Sequence, residues 1–142
     1  MTIAAILGRK GDTVYSTECD TPVRDAVAML AGRRIGALPV LKAGRVVGIM
    51  SERDVIYCLQ SDGAVVLDWP VERVMTSPAI TVDPDFSVMA ALSLMTQRRM
   101  RHLPVVWQER LIGLVSIGDL VKYRIDRIEA EAEAMREYIQ SA

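Results

Sequence analysis

From Val23 to Val55 the chain aligns without a gap onto Val88 to Leu120, at a constant offset of 65 residues. A chain that writes one unit twice is constrained to fold as two like halves. At this offset Val23, Ala26, Arg33, Arg34, Leu38, Pro39, Val40, Arg45, Gly48, Ser51 and Asp54 return as Val88, Ala91, Arg98, Arg99, Leu103, Pro104, Val105, Arg110, Gly113, Ser116 and Asp119. Packing alone would preserve only an apolar pattern, so the returning glycine, serine and aspartate point to a site made twice. The period exceeds the roughly 20 to 50 residues of solenoids, which favours two fused half-domains over a stack.

With 142 residues in the whole chain, the halves are expected to share a core, because a unit of ~60 residues alone buries too little surface. Hydrophobic residues at 51% and charged ones at 25% describe a soluble globular protein, and no apolar run approaches the ~20 residues that span a bilayer. The stretch Met1 to Gly8 has no basic residues ahead of its apolar run, which counts against a secretory signal and makes cytoplasmic the expected location. Cys19 and Cys58 lack C-x-x-C spacing and are read as reduced structural thiols. A net charge of −1 gives no broad footprint for nucleic acid, and 5% aromatic residues leave few stacking platforms, so nucleic acid ranks last among partners. One histidine, two isolated cysteines and serines without an evident base supply neither a metal site nor a catalytic set, so no enzyme activity is expected.

Val23, Ala26, Val27 and Leu30 follow helical spacing after Thr21-Pro22, a side-chain cap and a first-turn proline, which predicts a helix from 22 to 34. Val88, Ala91, Leu92 and Met95 repeat the stripe, with Asp85 or Ser87 as cap. Hairpins are expected from Ile35 to Leu41 with Val46 to Met50, and from Leu103 to Val106 with Leu111 to Val115. Thr13 to Thr17 and Ala79 to Val82 read as one further strand each. Pro39 and Pro104 lack an amide donor and suit a sheet edge or a strand start. Between the copies, a helix begun near Ser51 ends at Ser61-Asp62-Gly63, and Asp68-Trp69-Pro70 leads into a turn from Val71 to Met75, with Trp69 as a packing residue. The expected division is unit one over 1–62, an ordered linker over 63–75, unit two over 76–123 and a helical extension over 124–142.

In that extension Val121, Ile125, Ile128, Ala132, Met135 and Ile139 step by 4, 3, 4, 3 and 4 among charged residues, a heptad seam. Either a partner helix, giving a homodimer, or the chain's own sheet must cover it.

The segment with most chemistry is Gly48-Ile49-Met50-Ser51-Glu52-Arg53-Asp54, repeated as Gly113-Leu114-Val115-Ser116-Ile117-Gly118-Asp119 at a strand-to-helix junction. A serine followed three residues later by an acid is a helix cap. The same hydroxyl and carboxylate can also hydrogen-bond the two hydroxyls of a ribose, and the chemistry alone leaves both readings open.

The whole pattern resembles tandem CBS domains, the paired regulatory modules named after cystathionine β-synthase, over about residues 1 to 122. The matching residues are Ala37-Leu38-Pro39-Val40, His102-Leu103-Pro104-Val105, Gly48 with Ser51 and Asp54, Gly113 with Ser116 and Asp119, and the lead-in Val74 to Val82. The resemblance implies a mixed α/β (α+β) fold of two β-α-β-β-α units about a pseudo-two-fold axis, with two clefts for adenine nucleotides or related adenosyl compounds. Carried over by position, Ser51 and Asp54 would hold a ribose in one cleft and Ser116 and Asp119 in the other. Tyr15, Ile35 and Leu38, and in the second copy Ile80, Met100 and Leu103, would flank the bases. Gly36-Ala37 becomes Arg101-His102 while Glu52-Arg53 becomes Ile117-Gly118, so the clefts are expected to differ. Arg101, His102 and Arg53 are the candidate phosphate contacts, whereas Arg33-Arg34 and Arg98-Arg99 are first of all partners of helix C-termini. The implied function is a stand-alone sensor that needs no cofactor, takes AMP, ADP, ATP, NAD or S-adenosylmethionine as regulatory ligand, and acts on an unidentified regulated protein. Its serious rival is a purely structural dimer with empty clefts.

Overall fold

The computed structural model describes residues 1–11 and 13–141; the outermost residue of the expected extension, 142, lies outside them. In chain order the elements are α1 (Ile3–Lys10), β1 (Thr17–Glu18), α2 (Val23–Arg33), β2 (Ala37–Lys42), β3 (Arg45–Ser51), α3 (Glu52–Asp62), α4 (Val88–Arg98), β4 (His102–Trp107), β5 (Arg110–Ser116) and α5 (Ile117–Ser141). Two 3₁₀ segments, Gly63–Asp68 and Val71–Arg73, make the linker between α3 and α4.

The duplication is carried into the register of the hairpins. Ala37 pairs with Ser51 and Val40 with Gly48, as His102 pairs with Ser116 and Val105 with Gly113, and the ladders slip at equivalent points, between Val40 and Leu41 and between Val105 and Val106. The first unit forms a three-stranded sheet in the order β1-β2-β3, with β1 parallel to β2. The second has two strands, because the expected strand Ala79 to Val82 shrinks to a single parallel bridge between Val82 and Val105. In the first copy the pairing falls at Thr17 and Glu18, at the end of the expected stretch Thr13 to Thr17.

Pro39 occupies the central strand of its sheet and not an edge, and hydrogen bonding explains why it fits. Opposite Pro39, the Ile49 backbone turns away, donating to the Thr76 carbonyl (3.0 Å) and accepting from the Thr76 amide (2.8 Å), so no acceptor waits for the missing donor. On its other side β1 begins pairing only at Val40.

Each half has its own apolar cluster. Val23, Ala26, Leu30, Leu38, Val40, Met50 and Val55 of the first unit close over Val66, Val71 and Val74 of the linker. Val88, Ala91, Met95, Leu103, Val105, Val115 and Leu120 of the second close over Ile3 and Ile6 of α1. The N-terminal helix, counted with the first unit by sequence position, therefore packs into the second core. Its start is fixed there by Ile3 donating to the Phe86 carbonyl and Ala4 to the Pro84 carbonyl, both at 2.9 Å. In the same way the linker is stitched to the first unit by Val71 donating to the Thr21 carbonyl (2.8 Å) and Glu72 to the Cys19 carbonyl (2.9 Å). Each unit is thus sealed by the segment that precedes the other, as a pseudo-two-fold relation requires.

This exchange accounts for the repeated glycine. A Cβ on Gly48 would lie 2.5 Å from Met75 Sδ and 2.8 Å from the Thr76 carbonyl oxygen, and one on Gly113 would lie 2.5 Å from Leu7 Cδ2. Thr21 does not cap α2; Pro22 is the N-cap residue and the Val23 amide donates to the Trp69 carbonyl (2.8 Å), so the linker satisfies the free helix end. In the second copy Ser87 is the cap, its hydroxyl accepting from the Ala90 amide at 2.9 Å. Trp69 packs against the first core with the Arg73 guanidinium 3.7 Å from its ring.

The heptad seam does not fold back onto the sheet. α5 is one continuous helix, and the large apolar residues of the seam are exposed, from 42% at Val121 to 66% at Ile139. No helix among the described residues is long and apolar enough to cross a membrane.

Candidate functional site

Ser51 ends β3 in extended geometry and opens α3, where it forms a reciprocal capping box with Asp54. The Ser51 amide donates to Asp54 Oδ2 (2.8 Å), and the Asp54 amide donates to Ser51 Oγ (3.3 Å). The Ser51 hydroxyl donates to Oδ2 (3.0 Å) and the Thr76 hydroxyl to Oδ1 (3.0 Å). Capping is therefore real, and both carboxylate oxygens point at hydroxyl donors that sugar hydroxyls can replace. Thr76, which the sequence offered only as part of a lead-in, completes this arrangement.

The second copy repeats the cap and changes the third partner. The Ser116 amide donates to Asp119 Oδ2 (2.8 Å) and the Asp119 amide to Ser116 Oγ (3.1 Å). In place of a threonine, Lys10 Nζ at the end of α1 lies 2.7 Å from Asp119 Oδ2 and 2.7 Å from the Leu114 carbonyl. Partial burial pushes the Asp119 carboxyl upward, but the Lys10 ammonium and the Ser116 amide outweigh it and hold its pKa below the usual carboxylate value. Lys10 lies outside the repeated stretch, so no spacing announced it. Asp119 and Lys10 face a cavity of about 350 Å³ with Arg9, Lys122, Tyr123 and Asp126.

A cleft of about 230 Å³ lies between the halves, and it mixes residues of both. Ser51, Thr76, Ile80 and Met100 line it together with Arg98, Arg99, Arg101 and His102. The grouping differs from the one expected, since Ser51 meets the apolar residues of the second copy and not Tyr15 and Ile35. Tyr15 sits under the Arg33 guanidinium at 4.6 Å, and Ile35 lines a separate groove between α2 and α3 with Arg34, Gly36 and Glu52. Leu38 and Leu103 are corrections: both are 0% exposed, sealed in their cores, and present no surface to a base. Arg53 is exposed on the first turn of α3 and does not line this cleft.

His102 occupies the meeting point of the two copies. Its ring comes within 3.3 Å of where a Cβ on Gly36 would lie, so the glycine of one copy makes room for the histidine of the other. Burial first, and then Lys10, lower its pKa below 6.5, against the opposite pull of Asp119 and Glu52. The lowered value favours the neutral ring at pH 7. Among the described residues no three metal-ligating side chains gather, and Cys19 and Cys58 are both free thiols.

Tandem hairpin units with a Ser-Asp cap at each strand-to-helix junction define a paired two-unit module. The CBS domain family model matches residues 12–61 and 71–126, and the chain belongs to that family. It is 35% identical over 149 residues to the mitochondrial CBS domain-containing protein CBSX3 of Arabidopsis thaliana, covering 98% of this chain and 72% of that protein. The crystal structure of a CBS-domain containing protein from Agrobacterium tumefaciens superimposes with a TM-score of 0.83 at 34% identity, covering 87% of this chain and 99% of that one. A further structure, of CBSX2 in complex with AMP, gives a TM-score of 0.70 at 25% identity and covers 80% of this chain and 89% of that one.

Proposed function

We propose that this chain is a nucleotide-sensing regulatory module that binds an adenosine-containing ligand in the cleft between its two units. The observation that carries this reading is the cleft itself, whose lining brings together Ser51 and Thr76, with hydroxyls converged on Asp54, and the apolar residues Ile80 and Met100. Those groups offer a ribose its polar partners and a base its apolar ones, with arginines at the rim for phosphate. Asp119 with Ser116 makes the second seat, held shut by Lys10. The AMP complex of CBSX2 supports the ligand class.

Binding acts as a signal by favouring one arrangement of the halves over another, in proportion to the ligand's differential affinity for the two. The exposed seam of α5 supplies the output surface, pairing with a second copy of the chain or presenting it to a regulated protein.

A thermal-shift panel with AMP, ADP, ATP and NAD tests the reading. Ligand at 100 times its dissociation constant stabilises by about 2.7 kcal/mol, several degrees at this size. A flat panel would sink it. One observation favours a second reading, a structural dimer without ligand: Asp54 already has both carboxylate oxygens hydrogen-bonded, and Asp119 Oδ2 is held by the Ser116 amide and Lys10.

A further inference from the structure

We infer that the cleft between the units selects nucleotides carrying two or more phosphates, over monophosphates and over adenosyl cations. This rests on the proposed nucleotide reading and adds the charge class of the ligand.

The two copies treat their arginines differently. In the first, Arg33 is parked over the Tyr15 ring at 4.6 Å. In the second, Ile80 stands where the 65-residue offset would place that tyrosine, so Arg98 has no ring beneath it. Arg101 stands in register with Gly36, adding a cation the first copy lacks. Among the described residues, Arg98, Arg99 and Arg101 take part in no ion pair, side-chain hydrogen bond or cation–π contact of any kind, while Arg24 and Arg45 are paired with Asp68 and Glu109. All three line the same cleft, and no aspartate or glutamate does.

One cation at the end of α4 would answer the helix dipole. Three around one opening repel each other, and the nearest acids, Asp54 behind the Ser51 and Thr76 hydroxyls and Glu52 and Asp119 near His102, stand outside the lining. Guanidiniums match phosphate oxygens in fork geometry, and three can grip a di- or triphosphate tail that a single phosphate would only partly neutralise. A sulfonium ligand would meet repulsion at the same rim.

Titration calorimetry of the full chain with adenosine, AMP, ADP, ATP, GTP, S-adenosylmethionine, sodium tripolyphosphate and single-stranded RNA at fixed salt tests this. Affinity is expected to rise roughly tenfold from AMP to ADP and again to ATP, one good arginine–phosphate contact per step. Tripolyphosphate should compete with ATP. Arg101→Ala and Arg99→Asn should flatten the series, whereas Arg24→Ala, which removes a paired charge elsewhere, should leave it intact. Equal binding of AMP and ATP would overturn the inference and leave the nucleotide reading standing. Equal binding of ATP, GTP and tripolyphosphate, with none of adenosine, would keep the anion seat and sink the adenosine reading. Tighter binding of single-stranded RNA than of ATP would overturn it in favour of nucleic acid.

Discussion

Replacing Lys10 by methionine isolates the contact that most distinguishes the two seats. Lys10 Nζ makes two 2.7 Å contacts, to Asp119 Oδ2 and to the Leu114 carbonyl, with the two side chains 40% and 27% exposed. Exposed pairs contribute about 0.2 to 1 kcal/mol, and solvent screening discounts this one as well. With the carbonyl contact included, the loss should be ~1 kcal/mol at pH 7, or about 2–4 °C in Tm. The pH dependence has a definite sign. Asp119 is depressed below 3.8 in the folded chain, so its stabilisation is complete above the unfolded value and disappears as pH falls through the folded one. Urea midpoints of the wild type and Lys10→Met should therefore differ by a constant amount between pH 7 and 5 and draw closer as pH falls below 3.8, leaving the part due to the Leu114 carbonyl. Ligand affinity should move the other way, since the substitution frees Asp119 for a sugar hydroxyl; ~1 kcal/mol corresponds to about fivefold tighter binding at that seat. A gap that persists unchanged at pH 3, or no gap at pH 7, refutes the electrostatic account. Weaker adenosine binding refutes the plug.

Gly48→Ala should cost ~2–3 kcal/mol by chemical denaturation, and Gly113→Ala clearly less, because the Thr76 backbone obstructs the first methyl whereas only the flexible end of Leu7 obstructs the second. The second hairpin turns through Gln108 and Glu109, both at positive φ, where the first uses Ala43-Gly44. Glu109→Gly should raise stability by about 0.5–1 kcal/mol, read as a higher melting temperature, because its ion pair with Arg45 is exposed and contributes little. If α5 pairs two copies, Ile125→Asp with Ile128→Asp should reduce the mass seen by light scattering from dimer to monomer while the Tm of the isolated fold barely moves.

The hairpins and their register were legible because offset pairs such as Val40 with Val105 and Gly48 with Gly113 stand at equivalent positions in both ladders. The upstream strands were misplaced because each survives as one or two bridges, and so short a pairing leaves no alternating pattern to read. The Ser51–Asp54 and Ser116–Asp119 caps announced themselves by spacing. Thr76 and Lys10 did not: each reaches its acid from another part of the chain, and a threonine and a lysine at unlike positions leave no common signature. Leu38 and Leu103 carried the family pattern, yet the same apolar character that makes them recognisable draws them into the cores. Arg98 and Arg99 looked like ordinary helix-end cations until the cleft put them beside Arg101.

The exchanged sealing segments tie the fate of each half to the other. Cut between residues 62 and 63, the leading piece would carry Ile3 and Ile6 with no cavity to enter, and the trailing piece would carry Val66, Val71 and Val74, whose berth left with the first. Neither fragment owns all the parts of its own interior, so the two halves are expected to unfold together in one transition and neither to persist alone.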